Sequence, residues 1–365
     1  MKVILNQIIK TLPSSNAAIK NTASTIEREG WYPAFSASGQ DVWLPDYRFE
    51  QKGIVVSAVG ARCGKAFKAD GKWNVCANTH VLSVDEQQAD RDYFWYLLNN
   101  ENWWIKGGSA QPFVKIADSL KRSVEIPSLE EQKKRVRNLD GIRKLIDGQI
   151  EKKNLLEELV KARFVEMFGD LATNDKKWPM KNFLEFAQFD CQMTTDYEKY
   201  ADYPHIGIDA IEKNTGKILS YRTVKEDGVI SGKYLFSPEH IIYSKIRPNL
   251  NKVATPDFYG VCSADAYPIL PRENITKKEF LAAILRSDYY LDYVSHLSTR
   301  ANMPKVNRTQ ISGFVCPIPP IALQEDYKTF VDDIDKSKFE VQKKIDLYTE
   351  LLNKKMDEYF NSEAN

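Results

Sequence analysis

The stretch Ile126-Pro127-Ser128-Leu129-Glu130-Glu131-Gln132 returns 192 residues later as Ile318-Pro319-Pro320-Ile321-Ala322-Leu323-Gln324. The same offset runs without a gap to Phe168 over Phe360. It pairs Ile142 with Ile334, Leu155 with Leu347, Glu158-Leu159 with Glu350-Leu351 and Glu166 with Glu358. Twelve of the 44 aligned positions from 126 to 169 are identical, more than chance supplies, so one plan is laid down twice. Outward from this core the likeness weakens and needs small gaps. Ile54-Val55-Val56-Ser57 aligns with Ile241-Ile242-Tyr243-Ser244, and Val75-Cys76-Ala77-Asn78 with Val261-Cys262-Ser263-Ala264. Asp92-Tyr93-Phe94-Trp95-Tyr96-Leu97-Leu98 aligns with Lys278-Glu279-Phe280-Leu281-Ala282-Ala283-Ile284, and Lys115-Ile116 with Lys305-Val306.

Each proline opens into a long helix. Residues 129–168 hold no proline, and apolar positions recur at Val136, Leu139, Ile142, Ile146, Ile150, Leu156 and Leu159. After Pro320 the pattern is Tyr327, Val331, Ile334, Val341, Ile345, Tyr348 and Leu352, a 3-4 alternation that Lys338 interrupts. Each helix of about 40 residues spans roughly 60 Å. Two such helices, a whole domain apart and charged on their outer faces, are expected to pair with each other. The regions between them read as mixed: Ile54–Val59 and Ile241–Ile246 as buried strands, Phe94–Leu98 and Phe280–Leu285 as short helices. The fold class expected is therefore α+β. Two mixed α/β domains, 1–125 and 171–317, alternate with spacer helices 126–170 and 318–362. The long helices form an antiparallel coiled-coil spacer, and the repeat is a pseudo-twofold one.

Composition bounds the function. Hydrophobic residues make up 43% and charged residues 28%, as in a globular chain, and 51 Lys+Arg against 50 Asp+Glu leave a net charge of +1. A lone DNA binder is usually more basic, so any DNA contact here must rest on locally clustered charge or on partners. Five Cys with no CxxC spacing predict neither a disulfide framework nor a zinc site. With no apolar signal core and no apolar run of 18, a reducing cytoplasm is the expected home. Two stretches approach catalytic motifs. Gly60-Ala61-Arg62-Cys63-Gly64-Lys65-Ala66 is one residue short of a P-loop and lacks its Ser/Thr, so a hairpin turn is expected. Pro45-Asp46 with Glu50-Gln51-Lys52 is too tightly spaced for a nuclease metal site and has no match in the other copy.

The ordered set of motifs, present twice, resembles type I restriction-modification specificity subunits. The two proline lead-ins carry the resemblance. So do Gly30-Trp31-Tyr32-Pro33-Ala34-Phe35-Ser36-Ala37-Ser38-Gly39, similar to the opening loop of a target-recognition domain, and Trp178-Pro179-Met180-Lys181-Asn182-Phe183 at the start of a second. Ser244-Lys245-Ile246-Arg247-Pro248-Asn249-Leu250-Asn251-Lys252 and Met303-Pro304-Lys305-Val306-Asn307 complete it. The resemblance implies a targeting subunit without catalysis of its own and without cofactor or metal. Its partners would be double-stranded DNA, two methyltransferase subunits and, through the complex, restriction subunits. S-adenosylmethionine, ATP and Mg would sit on those partners. The alternatives are a recognition module of another DNA-modification or phage-defence system, or a nuclease or transferase with an unrecognised site.

Base reading needs paired donors and acceptors, and phosphate contact needs charge. The candidates in the second domain are Lys245, Arg247, Asn249, Asn251 and Lys252, with Arg300, Asn302, Lys305, Asn307 and Arg308. In the first domain they are Ser36, Ser38, Gln40, Arg62, Lys65, Gln111 and Lys115.

Overall fold

The computed structural model describes residues 2–14, 23–297 and 304–360. The two long helices, Leu129–Phe168 and Ile321–Phe360, begin just past the prolines and are forty residues each. Contacts divide the chain into two compact units, Met1–Ile150 with Gln342–Asn365, and Glu151–Val341, so each helix contributes one half to each unit.

In the first unit Arg135 Nη1 donates to the Tyr359 carbonyl at 3.0 Å, and Asn138 Nδ2 donates to the Tyr359 hydroxyl at 3.1 Å. In the second unit the Phe164 and Phe168 rings stand edge-on to Tyr327 at 5.6 and 5.3 Å. The beginning of one helix thus meets the end of the other, and the pair runs antiparallel. On the second helix the expected seam holds: Tyr327, Ile334 and Val341 are buried, and Val331, Lys338, Ile345, Tyr348 and Leu352 half-buried. On the first helix it does not hold throughout. Ile150 and Leu159 are 44% and 47% exposed, while Gln149, Lys153, Leu156 and Val160 are half-buried. Successive steps of four from Ile142 through Ile150 drift off the contact line, and a 3-4 alternation from Ile146 lands on Gln149 and Lys153.

Each unit is built on the same two sheets. In the first, Ile9–Leu12, Thr79–Val84, Gly53–Ser57 and Ala66–Ala69 lie side by side, all antiparallel. In the second, the order is Ala187–Phe189, Ala266–Pro271, Ile241–Ser244 and Val253–Ala254. The strands expected from Ile54 and Ile241 are the fully buried inner strands of these sheets. The other sheet pairs Tyr32–Ser36 parallel to Lys72–Val75 in one unit, and Pro204–Ile206 parallel to Gly260–Cys262 in its counterpart. The segment Gly30–Gly39, expected as a loop, is therefore largely a strand. A short antiparallel pair precedes each proline lead-in: Lys2–Ile4 with Ser123–Glu125, and Met180–Asn182 with Val315–Pro317.

The closing residue of each proline motif explains the motif. Gln132 is fully buried; its Oε1 accepts from the Asp90 amide at 2.9 Å and its Nε2 donates to the Pro127 carbonyl at 2.9 Å. Gln324, also fully buried, accepts from the Lys277 amide at 2.9 Å and donates to the carbonyls of Pro319 and Ile275 at 2.8 and 3.0 Å. Each glutamine thus ties the residue preceding a short helix, Arg91–Leu98 or Lys278–Arg286, to the root of a long one. The first residue of each short helix is a cation turned inward. Arg91 Nη1 donates to the carbonyls of Gly53 and Ala69, and Lys278 Nζ to those of Pro238 and Pro256.

These pairs correct the repeat alignment. Asp90 corresponds to Lys277, Ser57 to Ser244 and Thr79 to Ala266, all 187 residues apart. The sequence alignments of Val75-Cys76 and of Asp92–Leu98 are therefore each one residue out of register. The bridges Val59↔Phe113 and Ile246↔Lys305 set Phe113, not Lys115, over Lys305. Lys115 instead matches Asn307, each preceding a short helix.

Gln324→Leu removes the partner of the Lys277 amide and of the Ile275 and Pro319 carbonyls and should cost about 1–3 kcal/mol, read by denaturant unfolding. Burial also holds His80 and His240 below the ordinary histidine value of 6.5, by disfavouring the charged imidazolium; contacts with the Val114 backbone and Asp190, respectively, oppose this only partly. Below that value the unfolded chain takes up protons that the folded chain refuses. Stability is then full above pH 6.5 and falls as the pH drops through it. The double variant His80→Gln, His240→Gln should show a shallower decline in melting temperature between about pH 7 and pH 5.

Candidate nucleic-acid interface

In the second unit the structure joins the two polar clusters. The strand Ile241–Ser244 runs into Lys245-Ile246, whose backbone meets the 304–306 segment. Val306 N donates to the Lys245 carbonyl at 3.0 Å, Arg247 N donates to the Pro304 carbonyl at 2.8 Å, and Ile246 bridges Lys305. Arg247 and Asn251 both take left-handed backbone (φ 48°) on either side of the single turn Pro248–Leu250. Such geometry costs a non-glycine residue about 1–2 kcal/mol and is held here by its surroundings. Asn251 is one of the holders: its side chain is buried and donates to the Arg286 carbonyl at 2.9 Å. Asn249, on the turn, is exposed.

The cations around this turn divide by task. Lys252 is committed inward, donating to the Ile208 carbonyl at 2.8 Å. Lys245 is half-buried, with its ammonium 2.6 Å from the Ala264 carbonyl and 5.3 Å over the Tyr267 ring. Arg308 is exposed and lies over the Phe189 and Tyr267 rings at 5.8 and 5.6 Å. Arg247 and Lys305 are exposed. Asp265 lies 3.7 Å from Lys305 and 3.9 Å from Lys245, so one carboxylate offsets part of a four-cation surface. Asn307 is exposed, yet its Oδ1 accepts from Gln310 N at 2.9 Å to cap the helix Arg308–Ser312, which leaves the amide nitrogen for other contacts. Arg300 and Asn302 lie outside the described residues. Cys191 sits against Arg308 at the edge of this surface; burial pushes its thiol up more than the guanidinium lowers it.

The first unit repeats the construction with different side chains. Val114 N donates to the Ala58 carbonyl and Gly60 N to the Pro112 carbonyl, both at 2.9 Å. The 58–65 turn is thereby laced to the 112–115 segment. It is a strand-to-strand hairpin turn, as expected, and not a phosphate loop opening a helix. Arg62, Gln111 and Lys115 are exposed and Lys65 half-buried. The Lys65 ammonium lies 6.0 Å over the Phe67 ring, on which Gly39 also packs. That contact brings the Ser36–Gln40 turn beside the Lys65 turn. Ser38 and Gln40 are exposed there; Ser36 is buried, and its hydroxyl accepts from Ser38 N at 3.1 Å to close the turn. Two further residues belong to this surface: Lys106, paired with Val114 in the hairpin Lys106–Gly107 and Phe113–Val114, and Phe113 itself, 40% exposed. The true register of the repeat would have singled out Phe113, since it stands where the other copy has Lys305.

Both surfaces carry donors and cations on rigid backbone; among the described residues no three His, Cys, Asp or Glu side chains are grouped to hold a metal ion. No described helix is long and apolar enough to cross a membrane.

A family model, type I restriction modification DNA specificity domain, matches residues 10–159 and again residues 175–348. The chain is 26% identical over 352 residues to the type I restriction enzyme EcoDI specificity subunit of Escherichia coli, covering 86% of this chain and 78% of that one. Among solved structures it is similar to the type I restriction-modification S subunit from M. genitalium. The TM-score there is 0.63 at 13% identity, over 99% of this chain and 96% of the other. At that identity the likeness concerns the fold.

Proposed function

The chain belongs to the type I restriction-modification DNA specificity family, and we propose that each of its two units reads one half of a split DNA site. The observation that carries this is the doubled surface. In both units the turn after the buried inner strand is bonded to the segment that leads back toward the long helix, and together they present cations and amides. Equivalent positions differ, Gly60 against Arg247 and Phe113 against Lys305, so the two halves of the target are unlike in sequence. Arg247, Asn249, Lys305, Asn307 and Arg308 serve one half, with Arg300 and Asn302 assigned there from sequence. Ser38, Gln40, Arg62, Lys65, Gln111 and Lys115 serve the other. Ser36, Asn251, Lys245 and Lys252 shape the surface more than they reach from it, because their polar atoms are already engaged.

In this reading the chain works in the cytoplasm as a targeting subunit and catalyses nothing. Two methyltransferase subunits bind it, restriction subunits join through them, and S-adenosylmethionine, ATP and Mg belong to those partners. Exposed apolar residues on the long helices, Leu145 at 48%, Leu155 at 57% and Leu347 at 59%, supply docking area.

Expressed with its methyltransferase partner in a host without adenine methylation, the chain should impose a methylated motif of two short defined halves around an unspecified spacer. Exchanging residues 175–317 should change one half only, and the chain without its partner should leave the genome unmodified. Modification by the chain alone would overturn the targeting reading. Replacing Arg247 and Lys305 by Ala should weaken DNA binding across all sequences and flatten its dependence on salt by close to one logarithmic unit per lost phosphate contact, roughly 0.9 for duplex DNA.

A further inference from the structure

The proposed reading draws on polar and charged groups in both units. Resting on that reading, we infer that one specificity-determining contact in the first unit is apolar: the Phe113 ring packs against a base of the first half-site, at the position that the second unit fills with Lys305. A single exposed phenylalanine is ordinary on a protein surface and by itself says nothing. Three observations set this one apart.

First, its backbone place is the interface place. Phe113 bridges Val59 as Lys305 bridges Ile246, and the next residue, Val114 or Val306, donates to the carbonyl of Ala58 or Lys245. Second, the ring has a built seat. A Cβ on Gly107 would come within 2.7 Å of Phe113 Cζ and 2.8 Å of Lys115 Cε, so ring and lysine stem lie directly on glycine backbone. Gly108, at φ +79°, would place a Cβ 2.4 Å from the Gln111 carbonyl. Two adjacent glycines let the hairpin close tightly and leave the ring held on its inner side and open on its outer side. Third, the surroundings are cationic. Arg62, Lys65, Lys106 and Lys115 form no ion pair with any described residue. An apolar ring among cations that pair with no described residue does not suit an apolar protein face. It suits a polyanion that also offers flat, weakly polar surfaces, which is the chemistry of a base edge or base face bordered by phosphates.

The ring would select its base by shape, through the thymine methyl group or an unstacked base face, and not by hydrogen bonds. The seat also explains why a lysine does not occupy this position as it does in the other copy: Lys115, folded over the same glycine, already brings a charge to the spot.

The test uses the full chain assembled with its methyltransferase subunits. The variants are Phe113→Ala, Phe113→Tyr and Phe113→Lys; the readouts are the methylated motif and binding to duplexes carrying it. Phe113→Ala should relax one base position in the half that the 175–317 exchange leaves unchanged, and weaken binding about tenfold or more. The slope of affinity against salt should not change, since no phosphate contact is lost. Phe113→Tyr should retain the motif, and Phe113→Lys should lose the base preference at that position and steepen the dependence of binding on salt. An unchanged motif and affinity in Phe113→Ala overturns the inference while leaving the two-part reading intact. So does a uniform loss across both halves with a lowered melting temperature, which marks a structural role, or a failure to assemble with normal DNA binding, which marks a partner contact. If the unaltered chain imposes no two-part motif, the reading on which the inference rests fails with it.

Discussion

One buried glutamine holds each of the two repeats to its long helix. Gln132 and Gln324 have no access to water, so each amide must find its partners within the chain or leave buried polar atoms unpaired. Each spends its oxygen on the amide preceding a short helix and its nitrogen on a carbonyl of the proline lead-in. The short helix, more than forty residues upstream, is thereby set at one point with the proline lead-in and the root of the long helix. The inward-turned cation one residue further on extends the constraint: Arg91 bonds the Gly53 and Ala69 carbonyls of the sheet, and Lys278 bonds the Pro256 carbonyl just past the strand Val253–Ala254. Substituting either glutamine by an apolar residue of similar size would leave the packing volume unchanged and remove the specificity of the joint.

The interface turns depend on this joint at one remove. The strands Gly53–Ser57 and Ile241–Ser244 lie against the short helices, and the turns after them carry the exposed cations. Their backbones are laced to the segments at 112–115 and 304–306, which continue into the short strands before each proline. Reading bases demands side chains fixed to a fraction of an ångström, and sites on braced backbone meet that demand better than free loops. The left-handed residues Arg247 and Asn251 belong to the same logic: local strain is tolerated where the surroundings over-determine the conformation.

Much of the fold was legible because repetition amplifies weak signals. One proline before an amphipathic run is ambiguous; an Ile-Pro opening closed by Gln at the same spacing, repeated 192 residues apart and each time leading into forty helical positions, is not. The seam on the second helix could be read because apolar residues occupy nearly every contact position. On the first it was misjudged at Ile150 and Leu159, since Gln149 and Lys153 hold contact positions while leucines face outward, the reverse of the hydrophobic pattern that periodicity relies on. The repeat register slipped by one residue around Cys76 and Tyr93 because side chains there match in type at two offsets, and hydrogen-bond partners alone tell them apart. In the first unit the residues named from sequence do fall on neighbouring turns, though the surface those turns form has other residues besides. Ser36 is a turn hydroxyl, while Lys106 and Phe113 had no motif to mark them.

By itself the sequence determined the doubled plan, the two long helices, the buried inner strands and the neighbourhoods where polar residues cluster. These come from periodicity and composition, which are local properties that survive without coordinates. Only the tertiary structure decided that the 245–252 and 304–308 clusters form one surface, that Asn251 and Lys252 serve the protein and not its exterior, and that Phe113 stands where Lys305 stands. The physical reason is that a polar side chain carries the same letter whether its hydrogen bonds are met inside the fold or left for a ligand. That allocation is made by backbone partners many residues away.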